Sequence, residues 1–288
     1  MFNDGQAYFI TQRCIQSRML LTPSPKVNDT IGGILAKATQ KFVHIHLHDF
    51  VFVSNHFHLL ITANEARQIS KFMGWLNREI SVRVGKLVDW SGGFFDRRFD
   101  AAPVLDDDAM IRRVTYIRSH GVKEGLVAKP DQWPGLTAIP ELHHGEKRVF
   151  PFDFRTQGGV EHLPIRLMPL PQWARLGKQS RQQRHKILSH QATEAAHLQR
   201  GKKPYLGAQR IASQHPHHRP KQTKRSPRIP CFASRHTARV SYAQTYKNFV
   251  EQLRLRYDDL LAAWRQMSSD AFCLPGFGML TAPIEGTA

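Results

Sequence analysis

The stretch FVHIHLHDFVFVSNHFHLLI, residues 42–61, constrains the fold more than any other part of the chain. Apolar residues alternate with histidines over 43–48 and 56–59 and run together over 50–53, with the turn residues Ser54-Asn55 between. Residues 43–53 and 56–62 therefore read as two strands joined by a two-residue turn. That register sets Val53 opposite His56 and Val51 opposite His58. Asp49, Val51 and Val53 then share a face with His56 and His58, while His44, His46 and His48 fall on the other face beside Phe50 and Phe52. His56 and His58 stand about 7 Å apart along one side of their strand. They can ligate one metal ion, with Phe57 anchoring the strand from below. The plainer reading, a partly exposed pair of strand histidines, stays open at this point. The upstream trio reads as a separate, half-exposed strand end.

The neighbouring segments follow helical and strand periods in turn. AYFITQRCI (7–15) is β-branched and aromatic, a strand pattern. NDTIGGILAKATQKF (28–42) carries Ile31, Ile34, Leu35, Ala38 and Phe42 at helical spacing, with Asn28 or Asp29 as its expected N-cap. Residues 66–87 place Ile69, Phe72, Met73, Leu76 and Ile80 on one helical stripe. GGFFDRRFDAAPVL (92–105) is a third strand region. DDDAMIRRVTYIRSH (106–120) is a helix whose aspartates suit the N-terminal dipole and which Gly121 is placed to end. The order strand–helix–strand–strand–helix–strand–helix is that of a ferredoxin-like α+β sandwich, an antiparallel sheet with two helices on one face.

Within the third helix Tyr116 and His120 lie four residues apart, about 6 Å along the axis and on one face. Met110, Val114 and Ile117 form its core stripe on another side. Arg112 is one turn before Tyr116, where an arginine beside a tyrosine suits a phosphate. Taken alone, Tyr116 reads as a boundary residue with its hydroxyl in water.

Charge separates the chain into parts. Residues 1–153 carry 19 Lys+Arg against 16 Asp+Glu, residues 154–240 carry 18 against 2, and residues 241–288 carry 4 against 5. The formal charge of +18 thus resides almost wholly in the middle, which points to a polyanionic partner, nucleic acid before a membrane surface. Residues 177–239 are rich in Gln, His, Arg, Lys and Pro, a composition expected to bury little and to stay mobile without a partner. An apolar pattern returns in residues 241–264, where Tyr242, Tyr246, Phe249, Leu253, Leu260 and Trp264 predict a long helix. The expected organisation is a folded α+β domain over 1–140, a basic flexible region over 141–240 suited to a polyanion, and a C-terminal helical segment over 241–288. Cys14, Cys231 and Cys273 have no paired spacing, which excludes a disulfide scaffold and fits a reducing cytoplasm. No signal peptide and no membrane-length apolar run is apparent.

ITQRCIQSRMLLTPSP, FVFVSNHFHLLI, FMGWLNREISVRVGKLVDWSGGFFDRRF and VTYIRSHGVKEGLVAKPDQWPG, in this order, resemble the single-tyrosine HUH transposases, HUH meaning His–hydrophobic–His. The likeness is to the REP-associated tyrosine transposases of bacteria in particular, and it spans about residues 5–137. It implies an HUH nuclease fold, a metal pair at His56 and His58, and a nucleophile at Tyr116. His120 stands where relatives place a polar third ligand, usually Gln or Asn, and its imidazole shifts the expected ion from Mg²⁺ toward Mn²⁺. SHGVKEG also departs from the NNPVKAG of many relatives.

The implied partner is single-stranded or hairpin DNA, with no membrane. The implied chemistry is cleavage through a 5′-phosphotyrosine with a divalent ion, Mg²⁺ or Mn²⁺, followed by rejoining. Arg13, Arg97, Arg98, Arg112, Arg113 and Lys123 are the candidate DNA contacts. Such an enzyme is expected in the cytoplasm with the nucleoid, as a monomer or a homodimer. Two other readings use the same residues: a hairpin-binding protein that has lost catalysis, and a metal-dependent nuclease that uses water.

Overall fold

The computed structural model describes residues 3–154, 158–201, 203–220 and 229–271, with side chains as far as Met267. Strand β1 (Gln6–Arg13) leads to α1 (Pro25–Lys41), β2 (Ile45–Val53), β3 (His56–Ala63), α2 (Gln68–Leu87), β4 (Asp100–Val104) and α3 (Asp107–Lys123). The strands form one antiparallel sheet in the order β2-β3-β1-β4. This is the ferredoxin-like α+β arrangement. Its strands β2 and β3 are buried almost throughout, on both faces.

The two-residue period decides which side chains go where. Tyr8, Ile10, Leu47, Phe50, Phe52, Phe57, Leu59 and Ile61 join Ile31, Ile34 and Leu35 of α1 and Phe72 and Leu76 of α2 in one core. Phe9, Val51, Val53 and Leu60 point the other way and pack with Met110, Val114 and Ile117, the expected stripe of α3. Each fully buried Leu, Ile, Val or Phe contributes about 1.5–3 kcal/mol relative to exposure. The two cores therefore pin helices to both sides of the sheet.

The β2–β3 turn at Ser54-Asn55 gives the expected pairs, Val53 with His56 and Val51 with His58. Farther from the turn the expected register fails. Leu47 pairs with Ile61 but Asp49 pairs with Leu60, so a bulge absorbs His48. Its imidazole Nε2 lies 2.8 Å from Thr62 Oγ1, and His46 pairs with Thr62. His46 and His48 are thus not on the Phe50/Phe52 face; the extra residue brings them to the Thr62 side. His44 lies outside the strand, 3.1 Å from Glu65.

Other boundaries differ for local reasons. The cap of α1 is Ser24, whose hydroxyl accepts from Val27 N–H, and Pro25 takes the first helical position; the helix begins before Asn28 or Asp29. Asp106 caps α3 by accepting from Ala109 N–H at 2.8 Å. Gly121 does not end α3, which continues to Lys123. A Cβ at Gly121 would lie 3.0 Å from Val127 and 3.4 Å from Trp133, so its smallness admits these side chains. The chain reverses instead through Gly125, at φ 73°.

Beyond residue 140 a hairpin of β5 (Val149–Asp153) and β6 (Val160–Pro164) crosses α1. The crossing is at Gly32 and Gly33, where any Cβ would strike the Phe150 ring and the Pro151 carbonyl. Helix α4 (Lys178–Arg200) packs along α3 and buries His185, Ser189, Ala192 and Ala196. Residues 177–239 were expected to bury little, and among the described ones only His185, Ser189, Ala192, Ala196, Ile211 and Cys231 are buried. The buried stripe is built of small and polar side chains, which composition counts as unburied. The short α5 (Ala208–Ala212) buries Ile211. Residues 221–228 of the basic run lie outside the described residues, as do 272–288.

The predicted C-terminal helix is α6 (His236–Ala271). Residues up to Arg239 cluster as one compact unit and those from Val240 as a second. No helix among the described residues is long and apolar enough to cross a membrane.

Candidate active site

Strand β3 is central, so His56 and His58 are held from both sides: Arg13 and Thr11 of β1 pair with them on one edge, Val53 and Val51 of β2 on the other. Their side chains emerge on the face that α3 covers. The i, i+4 spacing on that helix brings Tyr116 and His120 to the same place.

His56, His58 and His120 are all buried, and one ring nitrogen of each lies within 4.8 Å of the others. The three imidazole centroids are 4.8–5.1 Å apart. His56 Nε2 faces His120 Nε2 at 2.8 Å. His56 Nδ1 donates to Asn55 Oδ1 at 2.6 Å, which leaves the Nε2 lone pair directed inward. His58 Nδ1 is 2.9 Å from Thr11 Oγ1, and His58 Nε2 is buried with no hydrogen-bond partner among the described residues. Asn55 and Thr11 stand where outer partners would orient imidazoles around a metal ion. Sequence reasoning missed both as site residues; the only signal for Thr11 was its place opposite His58 once strand order was known.

Electrostatics keep these imidazoles neutral, the form that ligates. Burial, then the charge on neighbouring His120, hold His56 and His58 well below the ordinary histidine range. Burial, Arg13 and Lys123 lower His120 to about 4. A donor set of three neutral, converging imidazoles, with an orphaned buried nitrogen, fits a divalent transition ion.

Tyr116 is half-buried beside this triad. Its ring centroid is 5.4 Å from that of His58 and 5.5 Å from that of His120. Phe9, stacked on His58 at 4.9 Å, meets Tyr116 edge-on at 5.7 Å. Burial raises the phenol pKa, and Glu124 adds to the rise, while Arg113 and Arg13 oppose it.

The predicted cations divide into two groups. Arg13 faces the triad, Arg113 lies 5.2 Å from the Tyr116 ring centroid, and Lys123 Nζ lies 5.8 Å from it. Arg112, expected beside Tyr116, is exposed and acts instead on Asp106. Arg113 takes that place because aromatic rings hold it there, one of them Phe232, distant in sequence. Arg97 pairs with Asp100 at 3.0 Å, and Arg98 lies over Phe99. Neither is drawn into the triad.

Behind the site, Arg118 Nη2 lies 2.9 Å from Asp49 Oδ2, and both side chains have no exposed surface. The contact is an ion pair by distance but is out of line for a hydrogen bond. It fastens α3 to β2 between the turns that carry Tyr116 and His120.

Fold and site together define a ferredoxin-like domain that joins an HUH histidine pair to one tyrosine and a third histidine. Residues 8–120, from β1 through His120, match the family model described as "Transposase IS200 like". The match covers less than half of the chain. Among solved structures, a REP-associated tyrosine transposase bound to a REP hairpin is 16% identical, covers 49% of this chain and 81% of its own, and superposes with a TM-score of 0.42. A candidate transposase from Deinococcus radiodurans R1 is also 16% identical, with 38% and 87% covered and a TM-score of 0.30. No curated protein matches the chain.

Proposed function

We propose that this chain cuts and rejoins single-stranded DNA next to a hairpin, using Tyr116 as nucleophile. The observation that carries the proposal is the placement of Tyr116 on the same helix face as His120, against His58. A nucleophile and a candidate metal triad thereby converge on one small volume.

His56, His58 and His120 would hold a divalent ion, Mn²⁺ or Mg²⁺, which when bound would neutralise charge on the scissile phosphate. Tyr116 Oη attacks phosphorus in line and gives up its proton. The bond from phosphorus to the 3′ oxygen breaks, the 3′-hydroxyl leaves, and a 5′-phosphotyrosine remains. A tyrosine is a weak nucleophile at neutral pH because its pKa is about 10. Arg113, Lys123 and Arg13 favour the phenolate and accompany the charge that develops on the phosphoryl oxygens. One phosphoester is exchanged for another, so a second 3′-hydroxyl can attack the link and join strands. Phe9 and the packed face of α3 shield the link from water. The basic residues of the middle region would track the backbone of the flanking strand. The substrate would be met in the cytoplasm, on the nucleoid.

The test is incubation of the full chain with a hairpin oligonucleotide bearing a single-stranded flank, with Mn²⁺ or Mg²⁺. The native chain is expected to give a denaturation-resistant adduct and Tyr116→Phe none. An equal adduct from Tyr116→Phe would overturn the assignment. Cleavage with no adduct would identify a water-using nuclease, and tight hairpin binding without cleavage a silent binding protein.

A further inference from the structure

The segment around Phe232 is far from the site in sequence yet sits on it. Phe232 N–H donates to Pro103 O and Leu105 N–H to Phe232 O, each at 2.8 Å, so the segment lies along the edge of β4. Two residues on, Ser234 N–H donates to Asp106 Oδ2 at 2.7 Å, while the other oxygen of the same carboxylate caps α3. Residues 232–234 are therefore tied to both the last strand of the sheet and the first turn of the tyrosine helix.

The Phe232 ring covers Arg113. The guanidinium carbon is 4.0 Å from the Phe232 centroid, 5.5 Å from that of Phe9 and 5.2 Å from that of Tyr116. Phe232 and Phe9 meet edge-on at 5.6 Å. Rings packed about a guanidinium occupy its apolar surface and leave its in-plane N–H groups for an anion. Arg113 Nε is buried and has no partner among the described residues. A buried donor without an acceptor is costly, and a phosphate oxygen arriving at Tyr116 would satisfy it.

We infer that Arg113 donates to the phosphate attacked by Tyr116, and that Phe232 is a positioning residue that fixes the guanidinium for this contact. The inference rests on the reading of Tyr116 as nucleophile. It gives residues 232–234 a part in the reaction although they follow the tyrosine by more than a hundred positions.

The experiment is single-turnover cleavage of the hairpin substrate at saturating protein, with DNA affinity measured separately by anisotropy. Phe232→Leu is expected to lower the cleavage rate about tenfold while leaving Kd within about twofold, and Phe232→Trp to restore most of the rate. Arg113→Lys should fall with Arg113→Gln, about a hundredfold, because an ammonium lacks the planar fork. Adding Phe232→Leu to Arg113→Gln should cost nothing further. Native-like cleavage by Phe232→Leu, or an additive double variant, overturns the inference. Melting temperatures identify a variant that has lost its fold, in which case Phe232→Met is measured in its place. If the native chain binds the hairpin but forms no adduct, the nucleophile reading fails by itself. The arginine's phosphate contact is then judged from the salt dependence of binding. Arg113→Gln should reduce the slope by about one charge, and an unchanged slope overturns the contact as well.

Discussion

His56 presents its Nε2 lone pair because its Nδ1 donates to Asn55 Oδ1, and the His58 ring is oriented by Thr11 Oγ1 at its Nδ1. Neither outer partner is a candidate ligand, yet Asn55 fixes a tautomer and Thr11 a ring orientation. Thr11→Val should therefore weaken divalent-ion binding about tenfold with the three histidines intact, measured by calorimetry on the native and variant chains. The triad contains no carboxylate, which disfavours a hard, strongly hydrated ion. Mn²⁺ should raise the melting temperature more than Mg²⁺ at equal concentration, and His120→Gln should narrow that gap. That His56 and His58 share one strand face, and Tyr116 and His120 one helix face, was legible in the sequence because strand and helix periods are short and fixed. The outer partners were not, because Thr11 meets His58 only when β1 lies beside β3. Arg112 was expected beside Tyr116, where Arg113 stands, for the same reason, since Phe232 packs on Arg113.

At the level of elements, the seating of α3 depends on the Asp49–Arg118 pair. Burial drives the Asp49 carboxyl up to about 6 even with Arg118 beside it. Asp49→Asn would leave a buried, uncompensated guanidinium and should destabilise the chain by about 3–5 kcal/mol in a denaturant titration. The double replacement Asp49→Leu/Arg118→Met should recover much of that loss. A second contact of this kind is the crossing of α1 by the β5–β6 hairpin. An alanine ordinarily gains about 1 kcal/mol over glycine within a helix. At Gly33 the added Cβ would meet the Pro151 carbonyl, a backbone group that cannot swing away. Gly33→Ala should therefore destabilise, by about 1–3 kcal/mol, against its propensity. The apolar period is clear in most elements from β1 to α3 but not in β4, which occupies only Asp100–Val104 of the expected 92–105. The sequence still predicted the order and type of all seven. It did not predict α4, whose buried stripe of His185, Ser189, Ala192 and Ala196 has no large apolar residue.

For the whole molecule, buried histidines set the response to acid. Burial lowers His48 and His120 to about 4, and His143 and His185 to about 3. Unfolded histidines take up protons near pH 6.5, so below that pH the unfolded chain binds more protons than the native one. Stability should be full above about pH 7 and fall as pH drops from 6.5 toward 4, by up to about 1.4 kcal/mol per pH unit for each such histidine. Asp49, raised, acts in the opposite sense below about pH 6, as one group against several. Denaturant titrations at pH 7.5, 6 and 5 would show the fall; a flat profile would mean that these histidines gain protons in place. Length is a different matter from stability, and there the bulge at His48 has a consequence of its own. It is the one place in β2 where a residue is carried without a partner strand position. Loss of a residue there would let Leu47 and Asp49 run on in simple alternation, with the change confined to the strand's far end. Loss of one between Asp49 and Ser54 would turn Val51 and Val53 away from α3 and uncouple the helix that bears the tyrosine. Natural variation in the length of this hairpin should therefore gather at the bulge and spare the turn.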